Sequence, residues 1–202
     1  MATVYTIGHS TRAFDELVAA LKAHGIRTLV DIRSFPMSRR MPHFNRESLE
    51  VELPKQGIAY VWMKELGGRR KKIRNDSPNS GLRNDSFRNY ADYMLTDEFA
   101  QGIERLLEIV RETTGPSTPA AKDGPPALGM TSEAGDARNT AIMCAERVYF
   151  QCHRMLVSDY LVAHGHTVLH IQDDQRPVRP HQLMPEAHLV DGQLLYNAQE
   201  LF

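Results

Sequence analysis

The chain has 202 residues, a hydrophobic fraction of 42% and a formal net charge of −1 at pH 7. This length and composition predict one globular domain with a buried core, and no apolar run approaches the roughly 18 residues that a membrane span needs. The near-zero charge argues against a protein that coats nucleic acid through bulk charge, so any such binding must come from a local basic patch.

The first part of the chain predicts strands alternating with helices. Strand-like segments at residues 3–7, 28–32 and 58–62 are separated by helical patterns at about 14–21 and 46–56. Two parallel strands joined by a helix of this length form a right-handed βαβ unit. We therefore predict a single α/β domain with a mainly parallel sheet flanked by helices, in a flavodoxin-like or rhodanese-like layout.

The middle of the chain predicts helices bounded by two polar segments. After Leu66–Gly68 a polar, basic loop reaches about Asn84, and helical spacing then resumes at residues 87–94 and 99–110. Residues 113–139 are rich in Gly, Pro, Ala, Ser and Thr and poor in bulky apolar residues. That stretch is predicted to be a flexible insertion.

The last part of the chain predicts a strand, a polar loop, a helix and a final strand. Residues 140–144 form an apolar run, the stretch after Arg154 has the spacing of a helix that stops at Gly165, and residues 167–171 predict a strand. Residues 172–202 lack a clear period and predict a surface-packed C-terminal extension. The single domain is thus expected to span residues 1–202.

Several motifs occur in order along the chain: YTIGHST (5–11), VDIRSFP (30–36), Ser38 with Arg39, Arg40, Pro42, Phe44 and Asn45, ELGG (65–68), CAE (144–146), CHR (152–154) and GH-V-HI (165–171). Together they resemble the family catalogued as domain of unknown function 488, over about residues 4–171. Base-excision activity on modified DNA has been suggested within that family, and the resemblance implies the same expectation here.

Two acids are the predicted catalytic residues. Asp31 ends the second strand and Glu146 follows the strand at residues 140–144, so both are expected at the carboxyl edge of the sheet, where open α/β sheets bind ligands. One carboxylate can activate water or stabilise a sugar cation while a second group acts as acid or base. The alternative for each is a structural role, as a partner of Arg33 or Arg154.

The thiols suggest a second chemistry. Cys152, at the start of a helix and beside Arg154, could be a reactive thiolate in a rhodanese-like enzyme, and Cys144 could serve instead. We expect no metal, because adjacent residues on a helix, such as Cys152 and His153, point about 100° apart. Two cysteines without a signal-peptide pattern predict reduced thiols and a cytoplasmic location.

Basic and aromatic residues cluster after two strands and predict an anionic substrate. One run contains Arg33, Arg39, Arg40, His43 and Arg46, and the other contains Arg69, Arg70, Lys71, Lys72 and Arg74. Interleaved aromatic residues such as Phe35 and Phe44 could stack on a base or enter a duplex. The remaining predicted substrate-binding residues are His9, Asn45, Cys152, His153 and Arg154.

These features favour a DNA glycosylase that flips a modified base out of DNA and hydrolyses its N-glycosidic bond without a cofactor. A rhodanese-like thiol enzyme or another enzyme of small anions remains an alternative, as does a non-catalytic nucleic-acid-binding protein. The base, the choice between DNA and RNA, and the oligomeric state are left open by the sequence.

Overall fold

A central, mainly parallel sheet organises the protein. In the computed structural model, which describes residues 1–115 and 137–197, the sheet contains parallel strands β1 (Thr3–Gly8), β2 (Ile26–Asp31), β3 (Ala59–Trp62), β4 (Asn139–Cys144) and β5 (Thr167–His170). Their order is β3-β2-β4-β1-β5, and β6 (Arg179–Pro180) pairs antiparallel with β5 at one edge. The predicted α/β fold with a mainly parallel sheet is confirmed.

Helices cover both faces of the sheet. They are α1 (Phe14–Ala23), α2 (Arg46–Lys55), α3 (Asp85–Tyr93), α4 (Asp97–Thr114) and α5 (Arg154–Ala163). Leucines of α1 and α2 pack on one face, and apolar side chains of α3, α4 and α5 pack on the other. Because both faces are covered, the central strands are apolar on both sides, as the continuously buried Thr140–Cys144 run of β4 shows. No helix in the described ranges has the length and apolar character needed to cross a membrane.

The segments around the predicted insertion and at the C-terminus differ in part from expectation. Helix α4 continues to Thr114 and β4 begins at Asn139, and residues 116–136 of the predicted flexible insertion lie outside the described residues. The C-terminal segment was predicted to pack on the surface, but its hairpin of β7 (Ala187–Val190) and β8 (Gln193–Tyr196) contributes to the core. The Tyr196 side chain is fully buried in this core, and its hydroxyl is satisfied there by donating to the carboxylate of Asp159, 3.1 Å away.

The strand order explains where the polar motifs meet. Strand β4 lies between β1 and β2, so the carboxyl ends of these three strands are neighbours. Backbone hydrogen bonds continue this alignment past the strands: the His9 amide donates to the Cys144 carbonyl and the Ile32 amide to the Met143 carbonyl, both at 3.0 Å. Such strand ends are where open α/β sheets form ligand crevices.

Candidate active site

A crevice opens at the carboxyl ends of β1, β2 and β4. Its volume is about 750 Å³, within the range of ligand pockets. It is lined by residues that follow each of the three strands, including His9, Arg33, Cys144 and Glu146, and by Cys152 and His153 at the start of α5. The crevice therefore lies at the edge of the sheet where the site was predicted, and it brings several of the predicted site residues together.

Asp31 is buried behind the crevice and does not line it. Its carboxylate accepts hydrogen bonds from the Arg33 backbone amide at 3.0 Å, from Arg33 Nε at 2.9 Å and from the Tyr60 hydroxyl at 2.7 Å. Burial and the Asp31 charge raise the pKa of Tyr60, which keeps that hydroxyl a donor. The structure therefore favours the structural alternative for Asp31, as the partner of Arg33.

Arg33 forms part of the crevice wall and is held from several sides. Besides Asp31, its guanidinium donates to the Phe44 carbonyl at 2.8 Å and lies 3.1 Å from His9 Nε2. His9 Nδ1 lies 2.9 Å from the Ser10 carbonyl, which can only accept, so Nδ1 carries the proton and Nε2 accepts from Arg33. Burial and the Arg33 charge lower the pKa of His9 to about 4, so its ring is neutral at pH 7.

Glu146 contrasts with Asp31. It lies in the loop between β4 and α5, which we call the 145–153 loop, and it is exposed at the crevice. Its backbone carbonyl accepts from Arg154 Nη2, which anchors the loop. Within residues 1–115 and 137–197, no side chain forms a hydrogen bond or ion pair with its carboxylate, and no other Asp or Glu lines the crevice.

Two thiols and an imidazole come together at the floor of the crevice. The ligand atoms of Cys144, Cys152 and His153 all lie within 4.8 Å of one another, and all three residues are buried. A hydrogen bond from the Cys152 thiol lowers the pKa of Cys144 to about 7, and the same bond with burial raises the pKa of Cys152. If either thiol is the nucleophile, the structure favours Cys144 over Cys152.

Cys152 and His153 do not lie next to each other on a helix, which was the reason for expecting no metal here. Cys152 is not on a helix: its backbone is extended, with φ −143° and ψ 169°, and α5 begins only at Arg154. Cys152 and His153 can therefore direct their side chains to one point. Gly68 packs directly on the His153 ring, since a Cβ there would lie 2.2 Å from Nδ1, which explains the glycine of the ELGG motif.

The mouth of the crevice carries exposed apolar side chains. Phe35 is 66% exposed and Met37 is 74% exposed, and the Arg69 guanidinium lies 5.9 Å from the centre of the Phe35 ring. Phe44, in contrast, is fully buried, with its ring centroid 4.3 Å from those of His9 and His43. Phe44 is therefore not accessible from the crevice in this structure, whereas Phe35 is.

Two further predicted substrate-binding residues have structural contacts. Arg70 stacks on the Tyr93 ring at 3.5 Å, and it donates to the carbonyls of Gly67 and Glu65. Asn45 Oδ1 accepts from the Ser38 amide and orders the segment before α2. Both side chains are thus engaged within the protein.

Arg39 and Arg40 are exposed but do not line the crevice, and Arg154 is buried. Arg154 Nε donates to Cys152 Sγ at 3.3 Å, and Nη1 reaches the Thr6 hydroxyl at 3.4 Å. The Arg154 side chain therefore joins the start of α5 to β1 and to the 145–153 loop. Its predicted pairing with the Glu146 carboxylate is replaced by a contact with the Glu146 backbone.

The sequence did not indicate a second, basic cavity on the other side of the 145–153 loop. This cavity has a volume of about 300 Å³, and its polar lining includes Arg147, Arg154, His170, Arg176 and Arg179. Tyr149 of the loop stacks on His170, with centroids 3.6 Å apart and planes within 5°. Only the fold brings the C-terminal arginines to this loop, so no spacing in the sequence predicted them.

Comparison with known proteins gives one match. A family model described as "Domain of unknown function DUF488" matches residues 13–123, just over half of the chain. The match includes Asp31 at the end of β2, Arg33 after it and the ELGG motif, and it ends before the CAE and CHR motifs. No curated protein and no solved structure matches the chain.

Proposed function

The chain belongs to the DUF488 family, and we propose that it is a nucleic-acid enzyme that hydrolyses the N-glycosidic bond of a modified base in DNA. The observation that carries the proposal is Glu146. Of the described residues it is the one carboxylate that lines the crevice, and its side chain has no partner within those residues. A free carboxylate at a ligand crevice is the group that glycosidic hydrolysis needs.

The shape of the crevice suits a flipped base. Its volume of about 750 Å³ accommodates a nucleoside, and burial in a pocket is how enzymes reach a base that is otherwise stacked. Phe35 and Met37 project at the mouth, where apolar side chains could fill the gap that the base leaves in the duplex. Arg69 beside Phe35 would contact a neighbouring phosphate.

In this reaction Glu146 acts as the general base and Arg33 stabilises the leaving base. Glu146 accepts a proton from water as the water oxygen attacks the sugar C1′, and the electron pair of the breaking C–N bond leaves with the base. Arg33, fixed by Asp31, supplies positive charge toward the departing base. The Asp31–Arg33 pair thus positions the site, while Glu146 acts on the reacting atoms.

The nucleic-acid backbone would be held by basic side chains outside the crevice. Lys71 and Lys72 are exposed beside Arg69, and Arg39 and Arg40 are exposed on the neighbouring segment. The basic cavity behind the 145–153 loop offers a further place for a phosphate. A chain with a net charge near zero thereby concentrates positive charge around one site.

The direct test is base release. The protein is incubated with duplexes that carry alkylated, deaminated or oxidised bases, and abasic sites are then cleaved with alkali. We expect release from at least one duplex and a loss of about 10²-fold or more in Glu146→Gln, the usual contribution of acid–base catalysis. Glu47→Gln, which changes an exposed carboxylate on α2 outside the crevice, is the matched control.

Two outcomes contradict the proposal. If correctly folded protein releases no base from any of these duplexes, the proposed glycosidase activity is refuted. Unchanged base release in Glu146→Gln removes the catalytic role of Glu146. A persulfide on Cys144, detected by mass spectrometry in a protein that releases no base, favours the rhodanese-like thiol enzyme instead.

A further inference from the structure

The thiol–imidazole cluster has the composition of a metal site. Two sulfur atoms and one imidazole nitrogen lie within 4.8 Å of one another, on residues that are buried yet line the crevice. Thiolate and imidazole are the ligand types that Zn²⁺ takes in proteins, and three protein ligands with one open position form its catalytic sites. Neither the family description nor the proposed glycosidase chemistry assigns a metal here.

The orientation of His153 is the first supporting observation. Its Nε2 lies 2.9 Å from the Ile32 carbonyl, which can only accept, so Nε2 carries the proton. The lone pair of Nδ1 is therefore directed into the cluster, 3.8 Å from Cys144 Sγ. Metal-binding histidines are usually held in this way, with the second ring nitrogen donating to a carbonyl or carboxylate.

The second observation is the support of the Cys152 sulfur atom and of the His153 ring. Arg154 Nε donates to Cys152 Sγ at 3.3 Å. Such a donor orients a thiolate ligand and offsets its negative charge. The Tyr90 ring, 5.2 Å from that of His153, packs against the imidazole and fixes it from the side.

We propose that Cys144 Sγ, Cys152 Sγ and His153 Nδ1 bind one Zn²⁺ ion whose fourth position faces the crevice. Tetrahedral bonds of about 2.1 Å to nitrogen and about 2.3 Å to sulfur place N and S ligands about 3.6 Å apart. The observed 3.8 Å between His153 Nδ1 and Cys144 Sγ is close to this value, and all three ligand atoms lie within 4.8 Å of one another.

The fourth position determines what the ion could do. It opens to the same crevice that Glu146 lines, so water or a substrate atom can reach it. One imidazole and two thiolates around zinc, beside a carboxylate that is not a ligand, is the arrangement that activates water in zinc-dependent nucleobase deaminases. Zinc binding does not depend on the proposed glycosidase activity, since the ligand set exists whatever the substrate.

The experiment measures metal binding on the full chain without substrate. Metal is removed with a chelator under reducing conditions, and Zn²⁺ is then titrated in competition with a chromophoric chelator. Co²⁺ is added in a parallel titration, because its spectrum reports thiolate ligands and tetrahedral geometry. We expect one equivalent of either ion, with charge-transfer bands from thiolate to cobalt.

Variants assign the ligands. Cys144→Ser, Cys152→Ser and His153→Gln should each weaken Zn²⁺ binding by about 100-fold or more, since loss of a supporting residue alone costs about 10–100-fold. His164→Gln, an exposed histidine on the surface, is the matched control and should bind as the unmodified chain does. The Co²⁺ spectrum of the unmodified protein decides the question if a variant does not fold.

Three results would overturn the inference: no binding of Zn²⁺ to the reduced chain, a Co²⁺ spectrum without thiolate bands, or unchanged affinity in both cysteine variants. Base release is assayed separately. Zinc binding without base release refutes only the glycosidase proposal, and base release by a chain that does not bind zinc refutes only the metal site.

Discussion

Two neighbouring strand ends in this protein each carry one acid, but the two carboxylates differ in burial and in hydrogen-bond partners. At the end of β2, Asp31 is fully buried, and Arg33 and Tyr60 occupy both carboxylate oxygens. After β4, Glu146 is exposed, and no described side chain engages its carboxylate. An engaged carboxylate organises the crevice, and a free one is available to a substrate. Burial and hydrogen bonding, rather than residue type, separate the two roles.

The same contrast recurs in other pairs around the crevice. Phe44 is buried between two histidine rings, whereas Phe35 is mostly exposed at the mouth. Arg70 is stacked on Tyr93, whereas Lys71 beside it is exposed. Each pair offers a substitution expected to reduce stability and another expected to reduce substrate handling.

The largest difference is expected for the two acids. Asp31→Asn leaves the buried Arg33 without its charged partner and should lower the free energy of unfolding by about 3–5 kcal/mol. Glu146→Gln should change it by no more than about 0.5 kcal/mol, as surface substitutions usually do. Urea denaturation followed by circular dichroism measures both. A loss of stability in Glu146→Gln as large as that in Asp31→Asn would contradict the comparison.

The two phenylalanines should separate stability from binding. Phe44→Ala creates a cavity in the core and should lower the free energy of unfolding by about 3–5 kcal/mol. Phe35→Ala should leave stability nearly unchanged and weaken binding to base-containing strands by about 1–3 kcal/mol, the usual contribution of one stacked base. Denaturation and fluorescence-anisotropy titration test these values. If Phe35→Ala binds normally, Phe35 does not stack on the nucleic acid.

Acid should destabilise the packing of the 145–153 loop, because Tyr149 of this loop stacks on the His170 ring. Burial, with the charges of His181, Arg154 and Arg179, lowers the pKa of His170 to about 3, so the folded state holds this ring neutral. In the unfolded chain His170 takes up a proton near pH 6.5. The contribution of the neutral His170 ring to the free energy of unfolding is therefore fully present above pH 6.5. It then decreases by about 1.4 kcal/mol per pH unit as the pH falls toward 3.

The measurement compares urea unfolding at pH 7.5 and pH 5.0. His170→Gln removes this titration, so the variant should lose less stability than the unmodified chain between the two values. The buried histidines at the crevice, His9 and His153, have other partners than His170, so their contributions are the same in both proteins and cancel in the difference. Equal losses in both proteins would show that His170 does not contribute to the acid sensitivity.

The smallest effect is expected at the basic run. Replacing Arg69, Lys71 and Lys72 with alanine should flatten the salt dependence of DNA binding by roughly 0.9 in log–log slope for each phosphate that is no longer neutralised, with little change in stability. Arg70→Ala should instead lower the free energy of unfolding by about 1–2 kcal/mol, because it removes the stacking on Tyr93 and the hydrogen bonds to backbone carbonyls. Binding that does not depend on salt would exclude a role of this run in holding phosphate.

The sequence by itself determined the α/β fold, the strands and helices that position the crevice, and the edge of the sheet where the motifs meet. These predictions held because hydrophobic period and stop signals are local: the alternation at residues 3–7 and the spacing at 99–110 need no knowledge of the partner elements. The C-terminal segment was not predicted as part of the core, because its short apolar groups are separated by polar residues and prolines and show no clear period.

Only the tertiary structure decided which polar side chains are engaged by other side chains and which line the crevice without a partner among the described residues. Asp31 and Glu146 look alike in the sequence, and the difference arises because Tyr60 comes from β3 and Arg33 folds back onto Asp31. Likewise, the convergence of Cys144 with Cys152 and His153 depends on the extended backbone at Cys152. Side-chain contacts between distant segments have no period to recognise, so burial and hydrogen-bond partners become known only when the chain is folded.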